Sequence, residues 1–321
     1  MTDVPSLREW LRLSDAEVAS WVRRYSDCFV LGWPYNGTRR WYAAHAPREG
    51  HQGSTSADYL RDLIRKQAEH HKMVFNHGVR FLVVPSFGDK NLARGPQYVR
   101  RVLSGLPMLQ DDEIYQQLIS EGLQIRFYGD YEQVLTSALD TEQSRTLLEF
   151  CRDLMDRTSS NGGPVLLLGL FADEPYSTIS RLSVDFYKLN GRPPEHSELI
   201  QGYYGISMPP LDMYIGFAKP QLFNVPLLTT GSEQLYVTMN PSPDLSQAQL
   251  RIMLYDCLFL RGSNPDYEAM SAQQRQDLLH RLQESSDQTF GVGHIDPLTG
   301  GWAPMSPDST PSRYVEHTMF S

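Results

Sequence analysis

Short apolar runs rich in Val, Ile, Phe and Tyr alternate along the chain with longer stretches of helical periodicity, the pattern of a parallel sheet wrapped by helices. Six runs predict strands: Cys28–Trp33, Arg80–Val84, Leu123–Tyr128, Val165–Leu170, Met213–Phe217 and Leu235–Thr238. Several are apolar almost without interruption, as strands covered on both faces are. Between the first two, Leu60, Leu63, Ile64, Ala68, His71, Val74 and Phe75 recur at helical spacing across 56–77, and Gly78 is placed to end that helix. Further helices are predicted over Asp111–Ser120, Tyr131–Arg157, Tyr176–Leu189, Leu245–Leu260 and Ser271–Glu284. The Ser-, Asn- and Gly-rich stretch 158–164 falls between a helix and a strand of one pattern and reads as a loop, not a boundary. The expectation is an α/β fold: a central, mainly parallel six-stranded sheet wrapped by helices, in one catalytic domain over 28–294. A helical lead-in over 1–27 precedes it, and an irregular tail rich in Pro, Gly and Ser follows over 295–321.

Charge and cysteine content narrow the function classes. The chain of 321 residues carries 38 acidic against 29 basic residues, a net charge of −9. Nucleic-acid surfaces are basic, so none is expected, and an anionic ligand must be held by a local arginine cluster. Cys28, Cys151 and Cys257 lie far apart with no CxxC pair, which argues against a disulfide framework or a zinc cluster and for a reducing compartment. No run approaches the ~18 consecutive apolar residues of a spanning helix. The start, Met1-Thr2-Asp3-Val4-Pro5, has no cationic segment leading into an apolar one. A cytoplasmic protein without a membrane span is expected.

Candidate chemistry concentrates after the first two strands. Asn36-Gly37-Thr38-Arg39-Arg40-Trp41 follows the first, where parallel sheets bind ligands. Gly37 admits close backbone approach, Thr38 offers a hydroxyl, and the arginines offer planar forks that match phosphate oxygens. A solvated arginine pair in a turn is the alternative. Ser86 to Gly95, with Asn91 and Arg94, repeats the logic after the second strand and would face the same crevice. Asp111-Asp112-Glu113 reads as a charged helix start. His51, His70 and His71 lack partners at metal-ligand spacing and read as structural or solvated.

These segments carry a family resemblance. Asn36-Gly37-Thr38-Arg39-Arg40-Trp41 resembles the Asp-Gly-Asn-Gly-Arg-Trp signature of cis-prenyltransferases such as undecaprenyl diphosphate synthases, and Ser86 to Arg94 resembles that family's second signature. A closer resemblance, over about 28 to 294, is to the tuberculosinol synthase and tuberculosinyl adenosine transferase group of the same fold. Shared stretches include Phe127-Tyr128-Gly129-Asp130-Tyr131, Asp212-Met213-Tyr214-Ile215-Gly216-Phe217 and Pro265-Asp266-Tyr267-Glu268-Ala269-Met270.

The resemblance implies a terpene synthase that removes diphosphate from a sesqui- or diterpenyl diphosphate, linear or pre-cyclised, and quenches the cation to an alcohol or hydrocarbon. Transfer to a nucleoside such as adenosine, or a non-catalytic prenyl-binding subunit, are the alternatives. It assigns Gly37, Thr38, Arg39, Arg40, Asn91 and Arg94 to diphosphate, and places Asn36 and Tyr59 near the reaction. A homodimer is implied by the same likeness. Condensation with isopentenyl diphosphate is not implied, because Gly216, Leu222 and Asn224 stand where elongating relatives carry two arginines and a serine. Asn36 and Gln234 replace family carboxylates, which weakens the case for a magnesium ion; Asp173 is the remaining candidate ligand.

Overall fold

The computed structural model describes residues 4–45, 56–88, 91, 93–138, 141–170, 175–261, 266–286, 288–298 and 302–305. Six parallel strands form the central sheet: β1 (Val30–Gly32), β2 (Phe81–Phe87), β3 (Gln124–Tyr128), β4 (Val165–Leu170), β5 (Met213–Phe217) and β6 (Gln234–Thr238), in the order β3-β4-β2-β1-β5-β6. All six expected strands are present. β1 and β4 are buried throughout, so the near-continuous apolarity follows from burial on both faces.

Strand alternation divides the core in two. Leu31, Leu82, Val84, Leu166, Leu168 and Leu170 point to one face, and Val30, Phe81, Val83, Val165 and Leu167 to the other. The first face is covered by α1 (Leu7–Trp10) and α2 (Asp15–Tyr25) of the lead-in, α4 (Ser56–Asn76), α9 (Thr141–Thr158) and α12 (Gln247–Tyr255). The second is covered by Ile200, Tyr203 and Tyr204 of α11 (His196–Tyr204). α4 ends where Gly78 takes φ +93°, and a Cβ there would lie 2.8 Å from the Ala19 carbonyl oxygen of α2. Gly78 therefore stops one helix and admits another.

The remaining helices are α3 (Thr38–His45), α5 (Pro96–Leu103), α6 (Met108–Asp111), α7 (Glu113–Ser120), α8 (Tyr131–Ala138), α10 (Pro175–Asn190) and α13 (Ala272–Glu284). Asp112 caps α7, accepting from the Ile114 and Tyr115 amides at 2.9 and 3.2 Å, so the acidic triplet is a helix start. The single helix expected over Tyr131–Arg157 is two, α8 and α9. The Ser144 hydroxyl of α9 donates to the Leu135 carbonyl of α8 at 2.5 Å, tying the two helices together. α3, α5, α6 and α11 are additions to the predicted set, all short elements. Residues 158–164 lie outside the regular elements, apart from Thr158 at the end of α9, as expected. Part of the expected irregular tail is regular: β7 (Gly293–Ile295) pairs antiparallel with β8 (Trp302–Pro304). No helix among the described residues is long and apolar enough to cross a membrane.

Candidate active site

A cavity of about 680 Å³ opens beyond the carboxyl ends of β1, β2 and β4, where parallel sheets place ligands, and its size suits a small-molecule site. One wall is apolar: Leu60, Leu63 and Ile64 of α4, Leu103, Leu106 and Leu109 beside it, and Leu168 and Leu170 from β4. The polar lining is formed by Thr38 and Arg39 at the start of α3, Ser86 and Asn91, with Gln67 on α4.

The polar lining depends on one turn. Gly37 takes φ +77°, and a Cβ there would lie 2.8 Å from the Phe217 ring and 2.9 Å from Pro241. Any other residue would be strained and displaced, so Gly37 sets where α3 begins. Asn36 is held by its backbone: its N–H donates to the Ser242 hydroxyl at 3.0 Å, and its carbonyl accepts from the Ser242 amide at 2.9 Å. Thr38 and Arg39, the first two residues of α3, line the cavity, and the start of a helix is a position that favours an anion.

The structure brings Thr38, Arg39, Tyr59 and Asn91 to one cavity. Tyr59 donates to Thr38 Oγ1 at 3.1 Å, and its ring meets Tyr42 edge-on at 4.7 Å between centroids. Arg40 turns to the other side of α3, its guanidinium 5.4 Å above the Phe217 ring, and does not line the cavity. Arg94 also stops short of the lining. It donates to the Tyr98 hydroxyl at 2.9 Å and lies 5.0 Å over that ring, while Tyr98 itself borders the cavity. Asn91 is oriented by the Gly88 amide, which donates to its Oδ1 at 3.2 Å.

Sequence reasoning missed Tyr35, Tyr42 and Tyr98 as lining residues. Tyr42 lies four residues after Thr38, on the same helical face, a signal available once α3 is recognised. His70 and His71 are buried, as the structural reading of them expected. Each meets a tyrosine: Tyr35 Oη lies 2.6 Å from His70 Nδ1, and Tyr115 Oη lies 2.9 Å from His71 Nδ1. Burial lowers both imidazoles, to about 4 for His70 and about 3 for His71.

Two positions matched to family carboxylates carry amides. Position 36 offers an amide, and Gln234 opens β6 level with Met213, two strands from β1 and off the cavity lining. Among the described residues no three His, Cys, Asp or Glu side chains converge. Asp173 and His51 lie outside the described residues. Positions 216, 222 and 224, within and just after β5, are Gly, Leu and Asn and carry no cation.

The chain is 35% identical over 293 residues to a tuberculosinyl adenosine transferase of Mycobacterium tuberculosis, covering 90% of this chain and 96% of that protein. Over 67 residues, 20% of this chain and 23% of the relative, it is 39% identical to a (+)-kolavelool synthase of Herpetosiphon aurantiacus. A crystal structure of lavandulyl diphosphate synthase from Lavandula x intermedia, in complex with dimethylallyl diphosphate, superposes with a TM-score of 0.56 at 15% identity, over 72% of this chain and 94% of that one. That likeness is one of fold. No family model matches the chain.

Proposed function

The chain belongs to the tuberculosinyl adenosine transferase family of enzymes, and from that premise we propose that it removes diphosphate from a sesqui- or diterpenyl diphosphate, linear or pre-cyclised. The cation is then quenched to a terpene alcohol or hydrocarbon, without condensation with isopentenyl diphosphate. The observation that carries this reading is that one cavity combines an apolar wall with a polar lining holding Arg39, Thr38 and the start of α3. The apolar wall suits a terpenyl chain, and the polar lining suits the anion that must leave.

The chemistry needed is heterolysis of a carbon–oxygen bond. Charge develops on the diphosphate as it leaves, and Arg39 with the α3 amides stabilises it in place, which costs no reorganisation at the moment of reaction. The ring faces of Tyr42 and Tyr59 stabilise the cation left behind. Apolar side chains keep stray water from it. Arg40 and Arg94 are outer members of the clamp, close enough in sequence to swing onto a bound anion but turned to Phe217 and Tyr98 in this structure.

Transfer to a nucleoside is the second reading, favoured by the activity for which the Mycobacterium tuberculosis relative is named. Incubation with geranyl, farnesyl, geranylgeranyl and copalyl-type diphosphates, with and without adenosine, separates the readings by mass spectrometry. Products that keep the substrate's carbon count are expected. An adenosine adduct would establish transfer, and tight binding of an unreactive analogue without turnover would leave a binding subunit. The same assay with chelator tests the donor set: turnover is expected to fall less than about threefold, whereas Asn36→Asp should make it magnesium-sensitive, because a carboxylate holds that ion better than a neutral amide. A larger chelator effect on the wild-type protein would overturn that expectation.

The apolar wall should set chain length. Burying one five-carbon isoprene unit is worth about 4 kcal/mol at ~0.8 kcal/mol per methylene. Leu106→Trp fills part of the cavity and is expected to shift kcat/KM at least about tenfold toward a substrate one isoprene unit shorter. Competition between farnesyl and geranylgeranyl diphosphates reads this shift; an unchanged ratio would place the chain elsewhere.

A further inference from the structure

Heterolysis of a terpenyl diphosphate leaves a proton to be removed. A hydrocarbon forms only when the cation loses one, and an alcohol only when the water that adds to it does. Tyr59, also in the lining, donates to Thr38. Tyr35 borders the cavity against a titratable partner: its hydroxyl lies 2.6 Å from the Nδ1 of His70, an imidazole 5% exposed.

Burial holds His70 neutral, and with its proton on Nε2 the Nδ1 lone pair faces the Tyr35 hydroxyl and accepts from it. Trp33, 1% exposed, packs against both rings at 5.4 and 5.6 Å between centroids and fixes their orientation. Lys66, Glu69 and Asp244 are the charged groups that act on the pair.

We propose that Tyr35 and His70 form the proton acceptor of this cavity. The Tyr35 oxygen takes the proton that the terpenyl cation, or the water adding to it, must lose, and the phenol's own proton passes to His70 Nδ1. The diphosphate has left with the bonding electron pair, so the products are the neutral terpene, free diphosphate and a His70 imidazolium. Tyr35 is the catalytic residue and His70 acts through it as a positioning residue and proton store. Burial lowers His70 to about 4, yet that is many orders of magnitude more basic than a protonated alcohol or a carbocation, so the transfer runs downhill. The release of the stored proton afterwards is easy for the same reason. His71 and Tyr115 make the same contact inside the core, off the cavity, and have no such part.

The inference rests on the proposed ionisation, and the test separates the two. Tyr35→Phe and His70→Gln are compared with the wild-type protein using the diphosphate it accepts, reading released diphosphate and the full product mixture. Both variants are expected to bind an unreactive diphosphate analogue within about twofold of wild type. In both, isomerised diphosphate, formed when the cation is recaptured by its leaving group, should rise at least about tenfold relative to the deprotonated or hydrated product, a conservative fraction of the ~10²–10⁴-fold a general base contributes. Tyr35→Phe keeps the ring packing, so it remains informative where His70→Gln fails to fold. A wild-type product ratio in Tyr35→Phe would overturn the dyad while leaving the ionisation standing. Equal loss of all products with an unchanged ratio would do the same, marking a positional effect. Absence of diphosphate release by the wild-type protein would remove the parent reading, and the dyad with it.

Discussion

Arg39→Ala is expected to lower kcat/KM for the accepted terpenyl diphosphate by about 10²–10³-fold, with most of the loss in kcat, the size seen when one preorganised donor to a developing anion is removed. Arg39 is the arginine that lines the cavity, at the second residue of α3, where the helix amides already favour negative charge. Its guanidinium offers two parallel donors to phosphate oxygens, and the interaction strengthens as the carbon–oxygen bond breaks. Arg39→Lys keeps the charge but not the fork and should recover only part of the rate. Arg40→Ala should cost less, because Arg40 lies over Phe217 and must first leave it. Arg39 is exposed, so its removal should leave the melting temperature unchanged. Rates and analogue affinity for the three variants check this; turnover of Arg39→Ala at the wild-type level would show that the polar lining does not hold diphosphate.

The sheet was legible because its signal is composition. A strand such as Val165–Leu170, covered on both faces, must be apolar at every position. Gly37 and Arg39 were singled out by position less than by resemblance: after a strand, a solvated arginine pair in a turn was an equally open reading, and it was the family signature that pointed to a site. The tyrosines of the cavity were not. Tyr35 sits three residues past β1, Tyr42 on an eight-residue helix and Tyr98 on another, and a tyrosine in such places is as readily core as site. Only the assembled geometry distinguishes them: Tyr35 and Tyr115, each against a histidine, differ in that one borders the cavity. The two arginines were equal in sequence, and the 100° turn between successive helical residues separates them. The β7–β8 ribbon was missed because three-residue strands among Pro and Gly have no period to read.

Arg251→Ala should destabilise the fold by about 3–5 kcal/mol, the range for removing one partner of a buried charged network. Arg251, on α12 and 6% exposed, ties the lead-in to the domain. It donates to the Leu11 and Leu13 carbonyls at 3.2 and 2.6 Å, to the Asp15 carboxylate at 2.7 Å, and to His77 Nε2 at 3.0 Å. Its own carbonyl accepts from the Trp10 indole at 2.7 Å. Without the guanidinium these acceptors lose their shared donor, and α1 and α2 lose their anchor. His77 is then held neutral: its Nδ1–H donates to the Met73 carbonyl at 2.7 Å, leaving Nε2 as the lone pair that faces Arg251. Burial first, and the nearby guanidinium, lower His77 from its ordinary 6.5. The unfolded chain therefore binds a proton that the folded chain refuses as pH falls below about 6.5, so stability is full above that value and declines toward the folded one. His70, lowered to about 4, and His71, lowered to about 3, extend the same loss to those values. Asp212, raised by burial, opposes it near its own range. Each tenfold loss of proton affinity on folding is worth about 1.4 kcal/mol, so acidification from pH 7 to about 4 removes several kcal/mol, a large part of an ordinary domain's stability. Urea unfolding at about pH 7.5 and about pH 5, on either side of the ordinary histidine range, measures this directly. His77→Gln should flatten the slope, since glutamine still accepts from Arg251 but takes no proton; equal stability of the wild-type protein at both pH values would mean that these histidines are not held neutral.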